Sequence, residues 1–431
     1  MISKGIIVAS ARQRPDRTGR DLGRALSGLM VVLSLSWPSC GRGQEAARLS
    51  LAGQTAAENR RKSAWAPEEP TLLLGATKWK ISTGLDLEVN DNISFSTSHS
   101  AADVIVRPQV RTQMAWAVSE NNALNVALDA GYSAYVTHSD FNRFFIGPAS
   151  EFAFDVYAGD FWIRLHDRLA VTENAYEDPT VIGSANYAQL QNATGLGGTW
   201  DLNKVQVSLA YDHTVYDGLS GANGFPGGDS DIFATSAAYQ LNGATRIGME
   251  IGGGFISYDG TGTSSGRAAD WNAGAFVETQ VTEYIRLRAS AGYTVYAPED
   301  NSAADEFTGV YGQIGWHHRV NRHLEYHLTT GRSVNFGYYE GTIDLYNAIF
   351  EARWHFFQKL SVATGLVYEH GKQILTGQER FERFGPRLSL ERPITEKLWA
   401  VLRYQFYHRE SNQAGGDYDV NIVTASVTYR L

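Results

Sequence analysis

Apolar residues occupy every second position in successive segments of about ten residues, and these segments fill most of the chain. Short turns alternate with long polar loops between the segments. This alternation places the side chains of a β-strand on two chemically different faces, one apolar and one polar. Lipid tolerates only strands whose backbone groups are all hydrogen-bonded in a closed sheet. The pattern therefore predicts an all-β fold, a closed antiparallel transmembrane β-barrel.

The C-terminal third shows the alternation most clearly. The segment Lys397–His408 carries Arg403 and Gln405 on one face. Its other face is formed by Leu398, Ala400, Leu402, Tyr404 and Phe406. The segment Ile343–Phe356 repeats the arrangement, with an apolar face of Tyr346, Ala348, Phe350, Ala352, Trp354 and Phe356. One face of each segment suits lipid and the other suits water.

The connections give the strand count. Short links are predicted near Ser119–Asn122, Gly159, Leu202–Asn203, Asn242–Gly243, Thr282–Glu283, Asn321–Arg322, Gln358–Lys359 and Thr395–Glu396. Long polar segments lie between them, at Asn90–Ala102, Glu173–Ala188, Gly218–Ser230, Gly260–Ala269, Pro298–Asp305 and Glu410–Asp417. Outer-membrane barrels have short periplasmic turns and longer outer loops. We therefore expect about 18 strands between Lys78 and Leu431, and 16 strands would also fit the pattern.

The N-terminal region, residues 1–40, has the features of a secretory signal segment. Five arginines precede an apolar run, Ala25–Trp37, that is too short to span a bilayer as a helix. The only cysteine, Cys40, follows this run, so either lipid attachment or an inert residue lost with the signal is possible. Residues 41–77 are polar and predict a flexible periplasmic lead-in to a barrel of residues 78–431.

Composition excludes several other classes of protein. Hydrophobic residues make up 43% of the chain and the mean hydropathy is −0.27. After residue 40 no segment approaches the ~18 to 20 consecutive apolar residues of a membrane-spanning helix. The net charge of −9 offers no basic surface for nucleic acid. The 43 glycines and the 12% aromatic content are expected to serve turns and membrane-interface belts.

Tryptophans lie near the predicted short turns and tyrosines lie nearer the long loops, which predicts two aromatic belts. The tryptophans are Trp79, Trp116, Trp200, Trp316, Trp354 and Trp399. The tyrosines are Tyr132, Tyr216, Tyr258, Tyr293 and Tyr368. The alternative is that these aromatics pack a soluble β-sandwich or propeller, in which a second apolar layer would have to cover them.

The face opposite the apolar residues is predicted to line the barrel interior. Its candidate pore-lining residues are Arg107, Arg111, Asp129, Asp155, Arg164, Arg168, Glu278, Arg286, Arg288, Glu325, Glu351, Arg353, Arg387 and Arg403. A barrel of 16 to 18 strands encloses a water-filled lumen, so charges of both signs can remain solvated there. They can serve a hydrophilic solute, or they can pair along the wall and only stiffen it.

The first hairpin carries a family resemblance. Asn90-Asp-Asn-Ile93 is followed by Asp103 and Pro108, in the pattern N-D-N-[IV] and then D-x-[IV]-x-x-P. These residues resemble a family of β-barrel porins found with exopolysaccharide-biosynthesis operons. The segments Val281–Leu287, Val320–Leu324 and Ile394–Leu398 fit the same family. The resemblance implies export of polysaccharide and contact with polysaccharide-export components.

The last five residues, Val427–Leu431, resemble the C-terminal insertion signal of outer-membrane barrels. Tyr429 supplies the aromatic residue third from the end, although Leu431 replaces the usual Phe. The expected partners are therefore the barrel-assembly machinery, outer-membrane lipid and lipopolysaccharide.

The sequence predicts a passive, porin-like channel for hydrophilic solutes in the outer membrane, with no catalytic residues, metal or cofactor. Tyr311 and Tyr407 are candidates for stacking on sugar rings. The grouped histidines include His317 and His327, which are predicted to face inward as ordinary lumen residues. Two alternatives are a plugged structural or adhesive barrel without conductance and an outer-membrane hydrolase.

Overall fold

The computed structural model describes residues 70–172, 188–219, 227–259, 266–298, 306–336, 342–356, 359–373 and 379–431. The predicted signal segment and most of the predicted lead-in lie outside these residues. Within them, no helix is both long enough and apolar enough to cross a membrane.

Within the described residues, eighteen barrel strands follow one another in chain order. Their bounds are β1 Thr77–Asn90, β2 Asp103–Ser119, β3 Asn122–Tyr135, β4 Arg143–Ile146 with Glu151–Ala158, β5 Phe161–Thr172, β6 Gln189–Asp201, β7 Val205–Gly218, β8 Gly227–Gln240, β9 Thr245–Asp259, β10 Gly266–Gln280, β11 Ile285–Pro298, β12 Phe307–Arg319, β13 Leu324–Phe336, β14 Thr342–Phe356, β15 Leu360–Gln373, β16 Arg380–Pro393, β17 Leu398–Ser411 and β18 Tyr418–Arg430. Each strand pairs antiparallel with the next.

The sheet closes where β18 pairs with β1, from Ser82 opposite Arg430 to Asn90 opposite Ile422. The backbone N–H of Leu431 adds a hydrogen bond of 3.1 Å to the carbonyl of Ile81. Closure satisfies the edges that an open sheet would expose. The predicted fold class and the count of 18 strands are confirmed.

A short strand, Leu72–Leu74, precedes the barrel and pairs with residues 77–79 at the start of β1. Gly75 lies in the turn between them, with a φ of 59° that favours glycine. The described end of the predicted lead-in thus forms a hairpin with the first barrel strand. That strand begins at Thr77, one residue before the predicted start.

Short turns and long connections alternate as predicted, although Gln358 lies outside the described residues. Two predicted loops were too long, because β8 already begins at Gly227 and β10 at Gly266. Gly228 and Asp229 pair with β7 and β9 in regular register. These strands continue beyond the part of the wall that contacts lipid. A strand segment there can carry polar residues on both faces, so a polar segment of the sequence does not mark the end of a strand.

The two faces of the wall differ as the alternation predicts. On β1, Leu85, Leu87 and Val89 are 51%, 44% and 48% exposed, whereas Glu88 between them is 4% exposed. Large exposed apolar side chains recur on the same outer face of the other strands, Met249 and Val310 among them. A soluble sandwich would cover these residues, so the soluble alternative is wrong.

The aromatic belts are only partly as predicted. Trp116, Trp200 and Trp354 are exposed on the outer face near the short turns. Trp399 instead faces inward, where the guanidinium of Arg430 lies 4.5 Å from its ring centroid. Tyr216 also faces inward, because its neighbour Val215 occupies the outer face. The position of a residue along a strand determines how near its side chain lies to either end of the barrel. Whether the side chain faces inward or outward depends only on its odd or even place in the alternation, which we call its parity.

Candidate pore lining

The structure places all fourteen candidate residues on the inner face of the barrel. Each alternates with outward apolar side chains, and cross-strand partners share its face, as in the pairs Arg111 with Asp129 and Asp155 with Arg164. A role of these residues in solute passage remains a prediction.

Most of these charges form ion pairs along the wall. Arg107 lies 2.7 Å from Glu88 and Arg111 lies 3.0 Å from Asp129, in both cases between neighbouring strands. The adjacent side chains are held as well, since the amide of Gln109 donates to Asp86 at 2.8 Å. This part of the wall supports the interpretation that charges pair and stiffen the sheet.

A partly buried group of charges lies between β4 and β5. Arg164 donates to Glu151 at 2.8 Å and lies 3.7 Å from Asp155, while Arg168 reaches the other oxygen of Glu151 at 3.2 Å. Asp155 also accepts a hydrogen bond from the indole N–H of Trp162 at 3.0 Å. Each carboxylate has more than one donor, which offsets the cost of burying the charge.

Glu278 on β10 is the acid of a second group. Arg246 donates to it at 3.0 Å and Arg288 lies 3.9 Å away. Arg286, two residues from Arg288 on the same face, is exposed to the lumen and makes no ion pair among the described residues. The wall therefore combines paired charges with free cations.

Further free cations lie on β14 and β17. Arg353 and Arg403 are exposed on the inner face, and within the described chain neither has an ion-pair partner. They border a recess of about 310 Å³ in the lumen wall together with Glu325, Glu351 and Arg387. Arg387 contacts Glu351 directly. This recess contains both paired and unpaired charge and is open to the lumen.

Several of the long inward side chains lie flat along the wall over glycines. Glu250, Gly274, Gly292 and Tyr311 form one row across four adjacent strands. The phenol O–H of Tyr311 donates to Glu250 at 2.9 Å, passing over both glycines. A Cβ on Gly274 would lie 2.2 Å from the Tyr311 oxygen. Because Gly274 and Gly292 have no side chains, they leave a groove in the wall that the Tyr311 side chain fills.

The same device recurs between β5 and β7. His166 reaches over Gly195 to Asp212, with 2.6 Å between Nε2 and the carboxylate oxygen. Arg387 likewise crosses Gly365 to contact Glu351. The expectation that glycines serve turns was therefore incomplete, because many lie within strands where a neighbouring side chain lies across them.

Sequence reasoning missed other inward polar residues. They include Asp212, Arg246, Glu250, Asp270, Glu369, Arg383 and Arg409. Each falls at the inward parity of its strand, so the alternation that identified the fourteen candidates could have found them. What it could not show is which residues pair, because the partners lie on different strands.

One of the two candidate sugar-stacking residues is not available for that role. Tyr407 is 7% exposed, and the guanidinium of Arg383 lies 5.1 Å from its ring centroid. Arg383 in turn pairs with Glu369 at 2.6 Å. Tyr407 was predicted to stack on sugars because of its inward parity alone, and parity does not reveal that another side chain covers the ring.

The motif that carries the family resemblance fixes the seam of the barrel. The Asp91 carboxylate accepts hydrogen bonds of 2.7 Å from both the backbone and side-chain N–H groups of Asn421 on β18. The side-chain amide of Asn92 donates to the carbonyl of Asp419 at 2.8 Å. The N-D-N segment therefore joins the first strand to the last.

The same segment begins a loop that lies on the lumen side of the wall. Ile93 packs with the inward residues Ile105 and Tyr135, and Phe95 contacts Tyr418 with 5.5 Å between ring centroids. Asp103 anchors the next loop, accepting hydrogen bonds from the backbone N–H groups of Thr137 and His138 at 3.0 and 2.8 Å. Both loops therefore contact inward-facing residues at the long-loop end of the barrel.

The fold is similar to that of solved outer-membrane proteins. OccK2 (OpdF) of Pseudomonas aeruginosa, solved in complex with glucuronate, is 10% identical, and the match covers 83% of this chain and 99% of that chain with a TM-score of 0.50. The outer membrane protein OpdK of Pseudomonas aeruginosa is 10% identical over 82% of this chain and 99% of that chain, with a TM-score of 0.48. No family model matches the chain, and no curated protein matches its sequence.

These observations define the class of protein. A closed barrel of 18 antiparallel strands, apolar outside and charged inside, is an outer-membrane β-barrel with a porin-type fold. The predicted location in the outer membrane is confirmed.

Proposed function

We propose that this protein is a passive channel for hydrophilic solutes. The observation that carries the proposal is the charged inner wall of a barrel closed by 18 strands. Barrels of this size leave an aqueous lumen, whereas about eight strands enclose an interior filled by side chains.

The arrangement of the wall supports passage of solutes. Side chains such as Tyr311 lie flat over glycines, so they occupy little of the lumen. The exposed guanidinium groups of Arg286, Arg353 and Arg403 can replace water around a polar solute as it passes. Hydrogen bonds and charges of this kind guide a solute without any covalent step, and the proposal therefore includes no catalysis.

A plugged structural or adhesive barrel is the second candidate. It is favoured by the first loop, whose Ile93 and Phe95 are 5% and 3% exposed and pack on the lumen side. This packing places the start of the loop on the lumen side of the wall, and a loop that extended across the lumen would stop conduction.

Conductance in planar bilayers distinguishes the two candidates. The full-length protein would be folded in detergent and inserted, and single-channel currents would be recorded with neutral or charged oligosaccharides on one side. A passive channel gives stable current steps that these solutes reduce. A folded, inserted barrel that stays silent would overturn the channel proposal and favour the plugged barrel.

Polysaccharide as cargo is a finer part of the proposal. It is supported by the family resemblance of the segment Asn90-Asp-Asn-Ile93 alone. In the structure, Asp91 and Asn92 of this segment hydrogen-bond across the seam, and Ile93 packs on the lumen side. Comparison of current block by neutral oligosaccharides, uronate-containing oligosaccharides and unrelated dicarboxylates would test it. Equal block by all three would leave a general channel without a polysaccharide preference.

The partners follow from location and from the last strand. We propose that lipopolysaccharide and lipid contact the outer face, that the assembly machinery recognises the C-terminal strand through Tyr429, and that export components are partners only if polysaccharide is the cargo. The exposed outward position of Tyr429 supports its recognition by another protein.

A further inference from the structure

The β12–β13 hairpin brings two histidines and a glutamate together on the lumen wall. His317 and His327 are directly opposite each other on adjacent strands, and their rings stack with centroids 4.5 Å apart. Glu325 lies two residues before His327 on the same face, and its carboxylate is 3.8 Å from Nε2 of His317. Glu325 and His327 lie eight and ten positions after His317 along the chain. Cross-strand pairing therefore brings these three possible ligands together.

The spacing of the donor atoms suits one metal ion. One donor atom from each of the three side chains lies within 4.8 Å of the other two. Donors around a tetrahedral ion, with bonds of about 2.0 to 2.2 Å, are separated by roughly 3.3 to 3.6 Å. The donors would therefore have to move closer together by side-chain rotation on binding an ion, and none of the three side chains is fully buried.

The ligand types and the surrounding charges indicate the class of ion. Arg286 is opposite His317, and Arg319 and Arg353 flank Glu325 on the neighbouring strands. Glu351 is opposite His327, but Arg387 contacts this carboxylate. Three cations disfavour Ca²⁺ and Mg²⁺, which depend on several anionic oxygens. A transition ion is held mainly by bonds to imidazole nitrogen and tolerates this environment better.

We propose that His317, Glu325 and His327 form a binding site for a divalent transition ion such as Zn²⁺, open to the lumen near the short-turn end. Two imidazoles and one carboxylate are a ligand set that zinc uses when a fourth position stays open to water or to a solute. His317 and Glu325 have side chains 31% and 33% exposed, so an ion in the lumen can reach them.

Metal binding is measured on the full-length barrel in detergent, without a polyhistidine tag. Co²⁺ is the probe, because Zn²⁺ has a filled d shell and gives no ligand-field spectrum, and calorimetry with Zn²⁺ gives the affinity. We expect one high-affinity ion per barrel. His317→Ala and His327→Ala should each weaken binding by at least roughly tenfold, and Glu325→Gln should weaken it while preserving the shape of the side chain.

Two control variants locate the ion. His318→Ala alters the same hairpin on its outer face, where Nδ1 lies 2.9 Å from the Tyr326 hydroxyl. His213→Ala alters another group of possible ligands, His213, Asp229 and Asp231, which lies on the outer face of β7 and β8. Both controls should keep the lumenal Co²⁺ spectrum.

The proposal is overturned if the unaltered barrel gives no Co²⁺ spectrum, or if the spectrum survives in the His317→Ala, His327→Ala double variant. Loss of the spectrum in His213→Ala alone would also overturn it. The measurement requires a folded barrel but no conduction, so its failure is independent of the channel proposal.

Discussion

At the scale of single residues, glycine is what permits the inner wall to be both charged and flat. Neighbouring strands lie about 4.8 Å apart, so a side chain that crosses a strand must pass directly over its backbone. Gly195 makes this possible for the pair His166 and Asp212, and a Cβ there would lie 2.3 Å from the carboxylate oxygen and 2.6 Å from Nε2. Glycines within the strands therefore allow charged and polar side chains of more distant strands to reach one another across the wall.

Gly195→Ala should therefore destabilise the barrel, whereas Gly197→Ala should not. The added methyl group at position 195 also meets the carbonyl of Tyr211 at 2.5 Å, and overpacking of this kind costs about 1 to 3 kcal/mol. Gly197 lies on the same strand and face with open space above it, so its change should stay within about 0.5 kcal/mol. Urea unfolding in micelles, followed by tryptophan fluorescence, measures both. Equal stability of the two variants would show that the His166 pair tolerates a side chain beneath it.

At the scale of elements, the seam between β1 and β18 differs from the other strand pairs because its two strands are far apart in sequence. Backbone pairing there runs from Ser82 to Asn90. The side chain of Asp91 extends it by two hydrogen bonds to Asn421. Closing the seam requires the whole chain to be in place, so contacts at its outer end stabilise the completed barrel.

Asp91→Ala should lower the free energy of unfolding by about 1 kcal/mol, since hydrogen bonds to a charged group are strong but this one is exposed to solvent. The matched control is Asp140→Ala, which removes an exposed carboxylate from the following loop. The thermal unfolding temperature in detergent should fall for the Asp91 variant alone. A fall of the same size in both variants would mean that net charge, and not the seam, was responsible.

At the scale of the whole molecule, the barrel wall separates lipid outside from water inside. Successive residues of each strand face these two environments in turn. On β17, Leu402 is 48% exposed on the outer face and its neighbour Arg403 is exposed on the inner face. The full barrel therefore presents lipid and water to adjacent residues of one strand.

This separation can be tested by cysteine labelling, because Cys40 is the only natural cysteine. In a Cys40→Ser background, Arg403→Cys should react with a charged, water-soluble thiol reagent in lipid vesicles, and Leu402→Cys should not. If both positions react equally, the inferred face of β17 or the closure of the wall is wrong. If neither reacts, the lumen at this height is not accessible to water.

The alternation in sequence was sufficient for the fold because its cause is local. Each residue on a strand lies on one of two faces, and lipid and water select different side chains for those faces. The facing of all fourteen candidate residues followed from this rule, and the strand count followed from the short and long connections between the alternating segments. The lengths of two loops did not, because the strands extend beyond the lipid-facing region, where no alternation is required.

The pairing of side chains was beyond the sequence because it depends on register between strands. That Glu278 pairs with Arg246, that Arg383 covers Tyr407, and that Glu325 lies beside His317 are each decided by which residues of adjacent strands are opposite one another. The sequence by itself determined a barrel with an apolar outside and a charged inside, because the two-residue repeat is a property of each strand alone. Only the tertiary structure decided which charges are neutralised, which remain free and which histidines meet, because these depend on distances across the closed sheet.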